Sequence, residues 1–299
     1  MAWTDVVLSV GNTCWPDGCD HCRTGSGLAS YAYRTNLIMM SAPHNQSNLP
    51  PRQPSINGTE SKLLSEIKAQ VFQGPYQGLG ERHHVTADAK AGIDCFDLHD
   101  PECLSPLLDH YCKMKYPNDD RRAAVSMWSQ WYFGLLLSPM LVMGAWGEVV
   151  LPFQAGFVSM KSDDVNCPVG FDLTDRHVRQ TVTDPVAPCS WAHFDDLISM
   201  HLTPLIMSLS TSSKVSPKVF WSNVGVLIAY VEKHVLKDSR ISLVPLISDA
   251  KRPDDMRNPL ANPYSTKQSE DGSLSRRVCC LRYLLTSVKI CPTCPLAKL

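Results

Sequence analysis

Four of the chain's 12 cysteines gather near its C-terminus: Cys279, Cys280, Cys291 and Cys294, spaced C-C-x10-C-x2-C. Two cysteines separated by two residues turn both sulfurs toward the same ion, and one chain reversal brings all four thiols within reach of a single metal centre. A disulfide between Cys279 and Cys280 is disfavoured, because consecutive Cα atoms lie about 3.8 Å apart, below the usual lower bound of about 4.4 Å for bridges. A structural zinc site satisfies four thiolates, although zinc ligands usually come in pairs spaced by two to four residues. A thioredoxin-like dithiol at Cys291-Pro-Thr-Cys294 normally accompanies a βαβ pattern, which the sequence does not display. An iron–sulfur cluster is the third reading.

The local charge suits that third reading. From Gly272 to Leu299 there is no acid, but Arg276, Arg277, Arg282, Lys289 and Lys298 are present. The whole chain, with 28 Lys+Arg against 29 Asp+Glu, has a net charge of only -1. A [2Fe-2S] centre with four thiolates carries about -2, and about -3 after one-electron reduction, so nearby guanidinium groups stabilise it. A solvated basic tail accounts for the cations without accounting for the thiols. The near-zero total excludes a general nucleic-acid binder, which needs a basic footprint.

The pattern RR-x-CC-x-RY followed by C-x2-CP resembles the signature of the FhuF family of siderophore ferric-iron reductases. It is carried by Arg276, Arg277, Cys279, Cys280, Arg282, Tyr283, Cys291, Cys294 and Pro295. Weaker resemblances lie upstream in Trp-Ser-Gln-Trp-Tyr at 128–132, in Trp221 with Asn223, and in Asn258-Pro259-Leu260, so the likeness covers residues 56–299. Taken alone, Trp221 reads as core. The resemblance implies that Cys279, Cys280, Cys291 and Cys294 hold a [2Fe-2S] cluster. It makes Arg276, Arg277 and Arg282 the candidates for supporting or substrate-facing charge. The implied activity is one-electron reduction of a ferric siderophore, hydroxamate type first, which releases Fe(II). The alternative from another class is a zinc-stabilised binding protein without redox activity.

No dinucleotide fingerprint accompanies the cysteines. Gly25-Ser26-Gly27-Leu28-Ala29-Ser30 lacks the final glycine and a clear preceding strand. A P-loop, H-E-x-x-H and G-x-S-x-G are likewise missing from the sequence. An external electron donor, a ferredoxin or a reductase, is therefore expected, with a siderophore transporter at the inner membrane as a further partner.

The elements that must position the thiols are expected to form an α+β, helix-dominated fold. With 299 residues and 44% hydrophobic residues, the chain buries a core without cysteine staples. Residues 1–55, rich in Gly, Pro, Asn and Ser, read as an irregular N-terminal extension. Residues 56–270 read as a helix-rich body that docks substrate, and 271–299 as the iron–sulfur-binding segment. Helices are expected over 55–73, 106–115, 193–211, 217–235 and 240–250, with a β-like run at 149–160 and no assignment for 74–102.

The uncharged stretch 123–147 is long enough to span a bilayer. Ser126, Ser129, Gln130 and Ser138 favour buried core instead, and Pro139 is expected to divide it into two helices. Without a basic and apolar leader, the expected location is cytoplasmic, with peripheral attachment to the inner membrane as a variant. Cys14, Cys19 and Cys22, spaced C-x4-C-x2-C, match the first three ligands of a plant-type loop. A second centre there would take His21, Cys95, Cys103 or Cys112 as its fourth ligand. It competes with free thiols, zinc and an oxidation-sensitive loop. The histidines, including His83-His84, His193 and His201, read as surface or satisfied core.

Overall fold

Nearly every side chain in the uncharged stretch is buried, and the reason is the number of elements packed on it. In the computed structural model, which describes residues 61–88, 92–180, 190–236, 239, 241–265 and 274–296, helices and strands surround this stretch. The N-terminal extension, the Cys14, Cys19 and Cys22 group and the glycine run at 25–30 lie outside the described residues.

The described chain starts with a short strand β1 (Ser61–Leu63) and helix α1 (Leu64–Val71). Strands β2 (His83–Thr86) and β3 (Ile93–Asp94) lead to helix α2 (Pro101–Lys115). Helix α3 (Arg121–Trp146) follows, then strands β4 (Val149–Val150), β5 (Val158–Ser162), β6 (Pro168–Thr174) and β7 (His177–Gln180). Helix α4 (Ser190–Asp196) widens into a π segment (Leu197–Leu202) and continues as α5 (Thr203–Ser213). Helices α6 (Pro217–His234) and α7 (Val244–Ser248) complete the body. One sheet is antiparallel in the order β1-β7-β4, and the other is mixed in the order β2-β6-β5-β3, with β2 parallel to β6.

The fold is thus α+β and dominated by helices. No helix among the described residues is long and apolar enough to cross a membrane. The boundaries differ from the sequence reading in several places. Residues 61–63 pair as strand with β7 rather than opening a helix. Helix α2 begins at Pro101, where the Asp100 carboxylate accepts the Glu102 N–H at 2.9 Å, so Pro106 lies inside it. The run 149–160 divides into two strands belonging to different sheets. In the unassigned stretch 74–102, β2 and β3 supply both edges of the mixed sheet.

Helix α3 runs unbroken through Pro139, against the expected division. Asp120 caps its start by accepting the Arg122 N–H at 2.8 Å. Inside a helix, proline cannot donate to the carbonyl four residues earlier, which here belongs to Leu135. The His83 side chain of β2 takes the vacant place, its Nε2 donating to Leu135 O at 2.9 Å. His83 is fully buried, and burial pulls its pKa down to about 4. The ring is therefore neutral, and the bond to a carbonyl fixes the proton on Nε2.

Residues on α3 advance by about 100° each, so Ser126, Ser129 and Gln130 share one face while Trp128, Tyr132 and Leu135 lie opposite. The second face packs on the mixed sheet and the π segment. Tyr132 stacks on Trp128 with ring centres 5.3 Å apart, meets Phe171 of β6 edge-on at 5.1 Å, and shares a 3.0 Å hydrogen bond with His201 Nε2. The Thr203 N–H reaches back to Ile198 O, closing the wide turn just before Pro204, which cannot donate.

Removing the His83 imidazole (His83→Phe) should destabilise the fold by about 1–3 kcal/mol, the penalty for a buried carbonyl left unpaired. Pro139→Ala restores the missing N–H, so His83→Phe should cost less in that background, which a double-mutant cycle by urea denaturation measures. Additive losses would remove the assigned pairing. His201 is also held neutral by burial, with its pKa near 3. For both histidines the unfolded chain binds the proton near pH 6.5 and the native chain does not. Their contribution is thus full above that pH and declines as the pH falls toward 4, by up to about 1.4 kcal/mol per pH unit for each. Denaturation midpoints measured between pH 7 and pH 5 should show this fall, and His201→Gln should flatten it.

Candidate metal centre

The described C-terminal segment, residues 274–296, has only one regular turn, the 3-10 turn Arg282–Leu284. Lacking a ladder of its own, it is held by bonds to the body. Arg277 N donates to Pro263 O at 3.0 Å, while Arg276 N ties the segment to itself through Thr293 O at 2.9 Å. The polar face of α3 supplies the Ser126 hydroxyl, which donates to Cys280 O at 2.8 Å. Asp119, just before α3, accepts the Thr286 N–H at 3.0 Å. Ser222 of α6 donates to Val278 O at 3.4 Å. Gly225 of α6 lets residues 260–263 approach closely, because a Cβ there would stand 3.1 Å from Pro263 Cβ and 3.4 Å from Leu260 O. The loop bearing Pro263 is shaped by Asn258, whose amide donates to Leu246 O and Asp249 O at 2.9 and 2.8 Å.

These contacts bring the four predicted thiols together. Cys280, Cys291 and Cys294 are buried in mutual contact, with Cys279 packed against them and partly exposed. Cys280 Sγ and Cys291 Sγ stand 3.6 Å apart. Directly after the adjacent pair, Leu281 takes a left-handed conformation at φ 63°, which turns its N–H onto Cys279 Sγ at 3.4 Å. Such a conformation costs a branched side chain about 1–2 kcal/mol, so the reversal is held by its surroundings. Cys294 N donates to Cys291 O at 3.0 Å, closing the turn that the x2 spacing anticipates.

Beneath the thiols lies charge. Arg276 is 1% exposed and Arg282 5% exposed, whereas Arg277 is at the surface with Lys289. Arg276 Nη2 donates to Asn223 Oδ1 at 2.6 Å, and Arg282 Nη2 to Gln130 Oε1 at 2.9 Å. Nε and Nη1 of Arg276, and Nε of Arg282, have no hydrogen-bond partner among the described residues. The thiols are electrically coupled: hydrogen bonds from Cys279 and Cys291 hold Cys280 well below the ordinary thiol range, helped by Arg276. The same contacts raise Cys279 and Cys291.

As the side chains stand, no three His, Cys, Asp or Glu groups among the described residues are placed to hold one metal ion. The donor set nevertheless fits an anionic metal–sulfur group: four soft thiols lie together above a buried cation with open N–H donors. The supporting hydroxyls and amides were not identified by spacing alone. Ser126 is legible in the sequence as a polar residue unsuited to a membrane helix, and Ser129 and Gln130 also through the Trp-Ser-Gln-Trp-Tyr pattern. Cys95, Cys112 and Cys167 are buried away from this group, and Cys103 is exposed. Burial pushes the Cys95 thiol up to about 12, which suits a core residue and not a ligand.

Ser126→Ala removes the donor to Cys280 O and one acceptor of the Asn223 amide. The expected loss is about 1–3 kcal/mol of stability, with faster proteolytic cleavage within 274–296 than in the body. Limited proteolysis followed by mass spectrometry reads this, and an unchanged cleavage pattern would show that the bond does not hold the segment.

Residues 126–272 match the family described as "Ferric iron reductase FhuF-like transporter". That span begins at Ser126 and takes in Ser129, Gln130, Ser222 and Asn223, the side chains beneath the thiols, and it stops before Arg276. The chain is also 29% identical over 270 residues to the ferric siderophore reductase of Escherichia coli (strain K12), an alignment covering 84% of this chain and 94% of that protein. By these two matches, the chain is similar to the FhuF-like family, over residues 126–272 for the family itself.

Proposed function

We propose that the chain is a ferric siderophore reductase that works through a [2Fe-2S] cluster on Cys279, Cys280, Cys291 and Cys294. The observation that carries this reading is the gathering of the four thiols in one cluster, in a segment whose Arg276 is a buried cation with open donors. A similar protein from Escherichia coli bears the name ferric siderophore reductase, which supplies the substrate class. Bound by four thiolates, such a cluster supplies one electron at a potential near about -400 mV.

The chain's own residues divide the remaining work. Arg276 neutralises part of the negative charge that four thiolates bring into a buried site. Three sulfurs are shielded from water, and the partly exposed Cys279 is the side from which an electron reaches a bound substrate. Arg277 and Lys289, at the surface of the same segment, offer positive charge to an approaching chelate or donor.

Ferric ion in oxygen ligands is a hard cation in hard donors, and one electron converts it to the softer ferrous ion, which those ligands release. Hydroxamate groups bear one negative charge each and catecholate groups two, so the hydroxamate chelate stabilises Fe(III) less and is the easier substrate to reduce. Electrons would come from a ferredoxin or a reductase, and a siderophore transporter at the inner membrane would deliver the substrate on the cytoplasmic side.

The test is anaerobic purification of the full chain, followed by iron and acid-labile sulfide analysis, electron paramagnetic resonance after dithionite, and reduction assays on hydroxamate and catecholate ferric siderophores. Two irons and two sulfides per chain, a reduced-cluster signal and turnover are expected. Each Cys→Ser change at 279, 280, 291 or 294 should reduce iron content. Colourless protein with one zinc per chain would instead establish a zinc-stabilised binding protein.

A further inference from the structure

We propose that Asn223 is a positioning residue that holds Arg276 with a neutral acceptor, so that the full positive charge of the guanidinium raises the reduction potential of the centre. The inference rests on the cluster reading above and adds to it the residue that controls the charge. Asn223 lies at the middle of α6, completely buried, and its Oδ1 accepts Arg276 Nη2 at 2.6 Å. Its amide nitrogen faces two hydroxyls, Ser126 Oγ at 3.4 Å and Ser129 Oγ at 3.3 Å.

Both hydroxyl protons are already committed. Ser126 donates to Cys280 O at 2.8 Å, and Ser129 donates to Ser126 O at 2.7 Å. Each hydroxyl can therefore only accept from residue 223. The position demands a side chain that donates on one side and accepts on the other, which an amide does and a carboxylate does not. The hydroxyls thus fix the orientation of the amide, with its oxygen on Arg276.

The consequence is electrostatic. A carboxylate at this place would hold the guanidinium equally well and cancel its charge. Among the described residues no carboxylate is within ion-pair distance of Arg276. Its Nε and Nη1 have no hydrogen-bond partner among the described residues, and its backbone N–H donates to Thr293 O at 2.9 Å, inside the turn between Cys291 and Cys294. Each added electron makes the centre more negative, so an uncancelled cation beside it favours the reduced form.

The experiment compares Asn223→Asp with its isostere Asn223→Leu. It also compares Ser222→Asp with Ser222→Asn, since Ser222 Oγ lies 3.4 Å from the same Arg276 nitrogen. The midpoint potential of the iron-loaded full chain is measured by visible and paramagnetic titration. Each Asp variant should make reduction at least tenfold less favourable, a fall of about 59 mV, and the neutral variant at the same position should lower the potential by clearly less. A folded Asp variant that loses iron while its neutral partner keeps it supports the same conclusion. Equal shifts in charged and neutral variants would overturn it, as would unshifted potentials in both Asp variants or failure of both to fold. Wild-type chain without iron and sulfide would refute the cluster reading itself, whereas loaded wild type with unshifted Asp variants refutes only the role of Asn223.

Discussion

Burying a guanidinium without a carboxylate is the constraint on which the C-terminal half of the molecule is organised. An unpaired charge taken out of water is costly, and the cost is met only by good hydrogen bonds or by an opposite charge. Arg276 has one strong bond to Asn223 and a longer one to Ser222, and its Nε and Nη1 have no partner among the described residues. The amide, the two serines beneath it and the backbone of Cys280 form one connected set, in which each hydroxyl proton has a fixed destination. Polar networks of this kind tolerate little change, because one missing partner exposes the full desolvation cost of the others.

Helix α3 makes this possible by serving two environments at once. One face is polar and meets α6 and the cysteine segment, while the other is aromatic and meets the mixed sheet. A helix buried on both sides must satisfy every backbone group internally, and Pro139 leaves one carbonyl without a donor. The imidazole of His83 supplies that donor from the parallel strand β2. The sheet therefore completes the helix chemically as well as packing on it.

Local signals were readable and remote partners were not. The Ser216-Pro217 start of α6 and the buried character of 123–147 follow from capping chemistry and from composition. Pro139 misled, because nothing in its neighbourhood announces a histidine far back in the chain. Strand β3 escapes the sequence for a similar reason: it has two residues, too few to show alternation, and its pairing is decided by a distant segment. At the site, the C-C-x10-C-x2-C spacing disclosed the thiols directly. Gln130 and Asn223 stood inside the recognisable Trp-Ser-Gln-Trp-Tyr and Trp-x-Asn patterns, yet their role depended on which arginine each one meets, a matter of tertiary placement.

The irregular backbone of residues 274–296 also bears on what kind of unit the cysteine segment is. Its carbonyls at Val278 and Cys280 are satisfied by hydroxyls from two helices of the body, and its buried arginines end on amides from the same two helices. Cut away, it would leave the hydroxyls and amides of both helices without their partners, and the segment itself would have nothing to give it shape. Transplanted to another scaffold, the four cysteines would carry their spacing but not the ground they stand on. The motif is one half of a lock whose other half is spread over α3 and α6.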